Sequence, residues 1–124
     1  MPITSRIDKN RDLTIFIVTG RLSYDEVMTE VEAFYKGETT KHVLWDFLKT
    51  TERQITVEQA EKILSLKQRY EGESGSGKTA VVAHERFFYG LSRTFAMQSN
   101  LLKARYTVMV FSSRDTAYKW FDES

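Results

Sequence analysis

Two apolar stretches decide the fold of this chain, His42-Val43-Leu44-Trp45-Asp46-Phe47 and Thr79-Ala80-Val81-Val82-Ala83. Both are short and rich in β-branched or aromatic residues, and neither alternates between apolar and polar side chains. Such runs are typical of strands that are buried on both faces of a parallel sheet. Because a segment with helical periodicity separates the two runs, we expect them to be parallel, with helices covering the sheet.

The sequence before these strands predicts a hairpin and a helix. Residues 3–8 form a weak strand candidate, and Leu13–Thr19 is a strong β run that ends at Gly20. Ser23 stands three residues before Glu26, which is the spacing of a capping box. A helix is therefore predicted from Ser23, with Gly37 as its stop.

The sequence after His42 completes an alternating pattern. A second helix is predicted from Thr56, its N-cap, to about Tyr70, with an apolar stripe that includes Ile63, and a third from about Arg86 to Leu102. The last strand is predicted over Tyr106 to Phe111, and the last helix from Ser113. The order is ββαβαβαβα, an α/β fold with a mixed sheet, mostly parallel with an antiparallel edge. Residues 1–124 form a single domain of ordinary size.

Composition narrows the function classes. Eighteen Lys and Arg residues against seventeen Asp and Glu residues give a formal net charge of +1, so we expect no nucleic-acid partner. The absence of cysteine excludes a disulfide framework and a cysteine metal site. No segment approaches the roughly 20 apolar residues of a membrane span, and the first residues lack the apolar run of a signal peptide. The expected location is the cytoplasm.

One motif suggests a nucleotide site. Residues 72–79 match the P-loop pattern G-x-x-x-x-G-K-[ST], with Gly72, Gly77, Lys78 and Thr79 at its defining positions. A P-loop, however, leaves a strand and enters a helix, so that the positive helix N-terminus faces the phosphates. Here the order is reversed, because a helix precedes the motif and a strand follows it. We therefore interpret the segment as a surface loop with a solvated Lys78 and disfavour nucleotide binding.

The chain resembles the SpoIIAA-like proteins, a bacterial group within the STAS and CRAL-TRIO-like superfamily. The resemblance rests on Val43–Phe47, on Val81–Phe95 with its Tyr89-Gly90-Leu91-x-Arg93 segment, and on the ending Val108–Phe111 followed by Ala117–Phe121. It covers nearly the whole chain and implies a mixed sheet flanked by helices.

The resemblance also implies a non-enzymatic role. STAS domains of this kind are anti-sigma-factor antagonists that bind a partner kinase and are switched by phosphorylation of a serine at the start of the second helix. This chain lacks the Ser-Gly pair of that motif, so only Thr50, Thr51 and Thr56 remain as phosphorylation candidates. The SpoIIAA-like group itself mostly lacks an assigned function.

Candidate site residues gather at the carboxyl ends of the predicted parallel strands, where ligands collect in open α/β sheets. The candidates for ligand or partner binding are Asp46, Lys49, His84, Tyr89, Arg93 and Ser112. A tie between Arg93 and Asp46 would join a helix to the sheet. No cofactor is expected, and no metal-ligand spacing stands out.

Three function classes follow from these residues. The leading hypothesis is a non-enzymatic binding or regulatory module that acts through a protein partner or a small apolar or anionic ligand. The alternative is a small enzyme that uses Asp46, His84 and Glu85 for acid–base chemistry, and P-loop nucleotide binding comes third. The aromatic cluster Phe87, Phe88, Tyr89 and Phe95 belongs to the core, or else lines a groove for a lipid-like ligand or a homodimer interface.

Overall fold

A computed structural model describes residues 3–37, 39–54, 58–59, 62–63, 65–66, 77–84 and 107–123. Its strands are β1 (Ile3–Asp8), β2 (Leu13–Ser23), β3 (His42–Gln54), β4 (Lys78–Val82) and β5 (Thr107–Phe111). The helices with both ends described are α1 (Tyr24–Lys36) and α2 (Arg114–Asp122). Between β3 and β4 the described residues Glu58, Gln59, Lys62, Ile63, Ser65 and Leu66 are helical.

The five strands form one sheet in the order β1-β2-β3-β4-β5. β1 pairs antiparallel with β2, and the other neighbouring pairs are parallel. This arrangement confirms the predicted mixed sheet with an antiparallel edge. It also confirms the two deciding strands as central, since Val43, Leu44, Val81 and Val82 are 7%, 0%, 3% and 0% exposed.

Each face of the sheet carries its own apolar core. On the α1 face, Phe16 stacks on Trp45 with ring centroids 4.4 Å apart, and Val27 and Val31 of α1 cover them. Ile63 and Leu66 pack against this same cluster. The α2 face holds Leu13, Ile15, Leu44, Ala80 and Val82 beneath Ala117 and Phe121. The two cores follow from the alternation of side chains along each strand.

Both β2 and β3 run further than the sequence predicted. β2 continues through Gly20 to Ser23, and β3 continues past Phe47 to Gln54, where it still pairs with β2. The register shifts twice, between Ile17 and Thr19 and between Gly20 and Arg21. Gly20 adopts a φ of 71°, which glycine tolerates without strain. The prediction failed because the extension is polar and two-stranded, so it lacks the apolar run of a buried strand.

The ends of α1 agree with the sequence only in part. Ser23 is the N-cap residue, but its side chain makes no capping hydrogen bond, so the predicted capping box is wrong. Gly37 ends the helix as expected, and its N–H donates to the carbonyl oxygens of Ala33 and Phe34. The predicted N-cap Thr56 and the helix predicted over 86–102 lie outside the described residues.

Arg11 fastens the β1–β2 turn to α2. Its Nη1 lies 2.8 Å from Asp8 Oδ2, and its Nε lies 3.0 Å from Asp122 Oδ1. The guanidinium also stands 4.7 Å from the centre of the Tyr118 ring. The hydrogen bond from Arg11 lowers the pKa of Asp8 below its ordinary value. One arginine thus ties the carboxyl end of α2 to the turn between β1 and β2.

Candidate functional site

The candidate site forms where the sheet narrows from five strands to two. Asp46 lies opposite Val82, and Val82 lies opposite Phe111, so β4 and β5 end at this level. β3 continues with β2 alone, and in the first register shift one extra residue of β3 is inserted between Asp46 and Lys49. Such β-bulges redirect side chains and are common beside functional sites.

Asp46 is the buried acid of this edge, with a side chain only 4% exposed. Its Oδ1 accepts a hydrogen bond from the backbone N–H of Leu48 at 2.9 Å. Its Oδ2 accepts one from Arg114 Nε at 2.5 Å. A buried carboxylate has to be paired and hydrogen-bonded to be tolerated, and here both oxygens are. The acid therefore fastens β3 to the first residue of α2.

Sequence reasoning missed Arg114 and proposed Arg93 as the partner of Asp46. Arg93 lies outside the described residues, so that tie stays a prediction. The predicted helix start at Ser113 could have pointed to Arg114. A helix that follows β5 begins at the edge of the sheet where Asp46, the last β3 residue paired with β4, also lies. The residue after Ser113 is therefore placed next to the acid.

His84 contacts the backbone of the bulge at Leu48. Its Nε2 lies 2.6 Å from the carbonyl oxygen of Leu48, which is an acceptor, so Nε2 carries a proton. The bulge takes the peptide groups of Leu48 out of the ladder, and two side chains satisfy them: Asp46 accepts from the N–H, and His84 donates to the carbonyl oxygen. Asp46 and His84 are thus joined through Leu48. His84 itself is exposed.

The remaining edge candidates are partly described. Lys49 and Ser112 are exposed, and Ser113 is the N-cap of α2, accepting a hydrogen bond from the N–H of Thr116. Thr50 is half-buried, and its Oγ1 donates to the carbonyl oxygen of Phe47 at 2.6 Å. The backbone of Thr51 belongs to β3. The candidates Thr56, Glu85, Tyr89 and Arg93, together with the Thr51 side chain, lie outside the described residues.

The end of the P-loop-like motif has a structural role. Lys78 Nζ donates to the carbonyl oxygens of Trp120 at 2.6 Å and Glu123 at 3.2 Å, and it stands 5.1 Å from the centre of the Trp120 ring. The ammonium thus caps the carboxyl end of α2, where the helix dipole favours a cation. The expectation that Lys78 is simply solvated was wrong, because two of its three N–H donors bond to backbone carbonyl oxygens.

Gly77 is required by a close backbone approach. A Cβ built at this residue would stand 1.7 Å from the carbonyl oxygen of Lys41 and 2.8 Å from its carbonyl carbon. Thr79 is a buried β4 residue, 7% exposed. Both residues are thereby accounted for by packing, whereas Gly72 lies outside the described residues. Nothing in this part of the motif favours a phosphate site.

His42 lies at the opposite, amino end of the parallel strands. Its Nδ1 accepts a hydrogen bond from the backbone N–H of Lys78 at 2.9 Å, so this nitrogen is unprotonated. Burial, followed by the positive charges of Lys41 and Lys78, lowers the pKa of His42 below its ordinary value of 6.5, and Asp12 opposes the shift. This hydrogen bond gives His42 a structural role at the start of β4.

Two further properties concern ligands and membranes. Within the described ranges, no group of three or more His, Asp or Glu side chains is arranged to hold a metal ion. Among the helical residues that the structure describes, no helix is long and apolar enough to cross a membrane.

Comparison with solved structures gives the fold. The anti-sigma factor antagonist SpoIIAA in its unphosphorylated form matches with a TM-score of 0.59 and 9% identity, over 95% of this chain and 96% of that one. An anti-sigma factor antagonist from Mycobacterium paratuberculosis matches with a TM-score of 0.66 and 14% identity, over 98% and 95% of the two chains. The chain has the SpoIIAA-like fold.

A third structure with this fold agrees. An uncharacterised protein from Shewanella loihica, described as having a SpoIIAA-like fold, matches with a TM-score of 0.58 and 16% identity, over 96% of this chain and 93% of that one. The sequence matches no protein-family model, and the search of curated proteins gives no significant match. The SpoIIAA-like expectation is therefore confirmed at the level of the fold. These three structures give no support to the CRAL-TRIO-like part of the resemblance or to a lipid-like ligand.

Proposed function

We propose that this chain is a non-enzymatic regulatory module that binds a protein partner. The proposed contact is the carboxyl-edge surface, defined here as the exposed residues Lys49, His84 and Ser112. Lys49 lies in β3 just beyond the part that pairs with β4, and His84 and Ser112 follow β4 and β5, so the parallel strands bring all three to one edge of the sheet. The proposed location remains the cytoplasm.

The proposal depends on the burial and the hydrogen bonds of Asp46. An acid–base catalyst has to exchange protons with a substrate, which requires an accessible carboxylate. The Asp46 side chain is 4% exposed, and both of its oxygens accept hydrogen bonds from the protein. The acid therefore acts as a structural support beneath an exposed rim. Within the part of the chain that the structure describes, nothing favours the enzyme that would use Asp46, His84 and Glu85.

The comparison with structures of the same fold suggests what kind of protein the partner is. Two of the structures with this fold are described as anti-sigma factor antagonists, proteins named for opposing another protein. By analogy, we propose that the partner of this chain is a regulatory protein of the anti-sigma-factor type. The hydrogen bonds that Asp46 and His84 make to Leu48 suit this role, because a pre-organised surface loses little conformational entropy on binding.

Phosphorylation at Thr50, Thr51 or Thr56 remains a proposed means of regulation. Thr50 is the described candidate with a side-chain contact, since its Oγ1 donates to the Phe47 carbonyl oxygen. A phosphate on this oxygen would remove that hydrogen bond and place negative charge beside Lys49. The modification would thereby change both the shape and the charge of the carboxyl-edge surface.

Site-specific photo-crosslinking in the native host tests the proposed contact. A photo-reactive amino acid is introduced at Lys49 or Ser112 and, as a matched control, at Lys9, an exposed turn residue at the opposite end of the sheet. We expect a discrete adduct with one other protein from both edge positions and none from the control. Absence of an adduct at both edge positions, or equal adducts at all three, would contradict the proposal.

A further inference from the structure

The outer edge of β1 is an open sheet edge in the described structure. β1 lies at the end of the strand order, next to β2 alone. Thr4, Ser5, Arg6 and Ile7 are all exposed, and Ile7 retains 50% of its surface. Ser5 and Ile7 share a face with Ile3, which belongs to the α1-face core, because side chains alternate along a strand. An exposed isoleucine therefore stands on the rim of that core.

β1 lacks most of the devices that keep sheet edges from pairing. Natural edges are blunted by bulges, by internal prolines or by several charged side chains. β1 pairs with β2 through six consecutive residues without a register shift and contains no proline. Asp8 is engaged by Arg11, and among the described residues Arg6 is the charge of this strand for which no ion pair is seen. The strand is thus regular enough to template another strand.

We propose that a second copy of this chain pairs antiparallel with β1, so that two five-stranded sheets join into one. A two-fold axis beside Ser5 would place Ser5 opposite Ser5 of the second copy and Ile7 opposite Ile3 of the second copy. An isologous contact of this kind uses the same patch on both molecules. It covers the exposed isoleucine with an apolar side chain on the same face.

Side-chain chemistry selects this register over its neighbours. Moving the axis to Arg6 would set two arginines directly opposite each other, which destabilises a strand pair. Moving the axis to Ile7 would leave Ile3 to Ser5 without a partner strand and draw Asp8 away from Arg11. With the axis at Ser5, residues 3–7 of both copies pair fully. Pro2, which has no N–H to donate, comes directly before the paired segment.

The contact is small, so the dimer is expected to be weak. Stable interfaces bury about 1,600 Å² in total, more than two short strands supply. We expect a dissociation constant of roughly 10–500 µM. Because β1 is at the far edge of the sheet from β4 and β5, this contact leaves the carboxyl-edge surface free. The inference is therefore independent of the proposed function.

Cysteine cross-linking tests the register, because the chain contains no cysteine of its own. Ser5→Cys places two thiols across the axis, within the Cα separation of about 4.4–6.8 Å that a disulfide needs. Ile7→Cys is displaced by four residues from its copy, or about 13 Å along the strand. We expect Ser5→Cys to form covalent dimers at least about tenfold faster than Ile7→Cys and Arg6→Cys under mild oxidation. Equal rates, or a faster reaction at either other position, would overturn the proposed pairing.

Sedimentation velocity over a range of concentrations tests the association itself. The unmodified chain should show a reversible monomer–dimer equilibrium that Ile7→Lys weakens at least about tenfold. Met109→Lys is the matched control, since Met109 is also exposed, at 43%, but lies on β5 at the other edge. A chain that stays monomeric at about 1 mM, or an equal effect of both variants, would refute the dimer. Circular dichroism establishes that each variant is folded.

Discussion

At the scale of single residues, the pair formed by Asp46 and Arg114 illustrates how a buried charge is made tolerable. The carboxylate is almost completely buried, whereas the side chain of Arg114 is 29% exposed, so the pair joins the interior to the surface. Removing one partner of such a pair costs more than the pair contributes, because the remaining charge stays buried. The arginine is therefore a stability residue as well as the first residue of α2.

Arg114→Ala should lower the free energy of unfolding by about 2–4 kcal/mol, because Asp46 loses the charged donor that the described structure shows and retains the N–H of Leu48. Urea denaturation gives the value. Arg6→Ala, at an exposed arginine of β1, is the control and should stay within about 0.5 kcal/mol of the parent. The double variant Asp46→Asn/Arg114→Ala should be less destabilised than the sum of the single changes, since the two groups interact. Additive effects would show that the pair is not coupled.

His42 gives the chain a dependence of stability on pH. Its pKa is lower in the folded chain than in the unfolded one, so the unfolded chain binds the proton more readily. Above about pH 6.5, His42 makes its full contribution to the free energy of unfolding. This contribution decreases as the pH falls below that value toward the lower pKa of the folded chain. Protonation of Nδ1 also removes the acceptor for the Lys78 N–H.

The free energy of unfolding should therefore decrease between about pH 7 and pH 5, and His42→Asn should flatten this slope, because an amide oxygen can accept the same bond without titrating. Urea titrations at several pH values measure the slope. The chain has two histidines, which makes His84→Asn the matched control. The slope should persist in His84→Asn, and an unchanged slope in His42→Asn would contradict the assignment.

At the scale of elements, β4 connects the sheet to the carboxyl end of α2. Gly77 allows the chain to pass against the carbonyl of Lys41, and Lys78 then reaches the last carbonyl oxygens of the helix. A residue pattern that matches a phosphate loop thus performs a packing and capping task. The difference lies in which helix end meets the motif, since a carboxyl end attracts the lysine and repels phosphate.

Lys78→Ala should lower the free energy of unfolding by about 1–2 kcal/mol, because two helix carbonyl oxygens lose a charged donor. Lys119→Ala is the control within the same helix: Lys119 is exposed, and its loss should cost less than about 0.5 kcal/mol. Millimolar magnesium-ATP should leave the melting temperature of the parent chain unchanged, since a ligand of the folded state would raise it. A saturable rise that Lys78→Ala abolishes would restore the nucleotide interpretation.

At the scale of the whole molecule, the two apolar cores share the central strands but face different helices. Leu44 is fully buried toward α2, whereas its neighbour Trp45 packs on the α1 face. Since side chains of adjacent residues point to opposite faces, a slip of one residue in β3 would exchange the two cores. The register of β3 is therefore fixed from both sides.

Leu44→Ala should destabilise the chain by about 2–5 kcal/mol, because it leaves a cavity between the sheet and α2. Chemical denaturation measures the loss. Ile7→Ala is the comparison at a half-exposed aliphatic residue and should cost under about 1 kcal/mol. Similar losses at the two positions would contradict the burial that places β3 at the centre of the sheet.

The sequence by itself determined the mixed sheet with its antiparallel edge and the central position of β3 and β4. These features depend on local signals, because an unbroken apolar run can be satisfied only in a sheet that is covered on both faces. The stop at Gly37 was readable for the same reason, since glycine acts within its own helix turn. The sequence also placed Asp46, Lys49, His84 and Ser112 at one edge, because the carboxyl ends of parallel strands share an edge.

Only the tertiary structure decided which contacts Asp46 and Lys78 make. The pairing of Asp46 with Arg114 spans 68 positions in the chain, and the hydrogen bonds from Lys78 to Trp120 and Glu123 span 42 and 45. A local pattern marks the start of α2 at Ser113, but the contacts themselves depend on how β5 and α2 come to lie over the sheet. The polar extension of β2 and β3 was missed likewise, since the ladder between two strands stabilises it rather than its own composition.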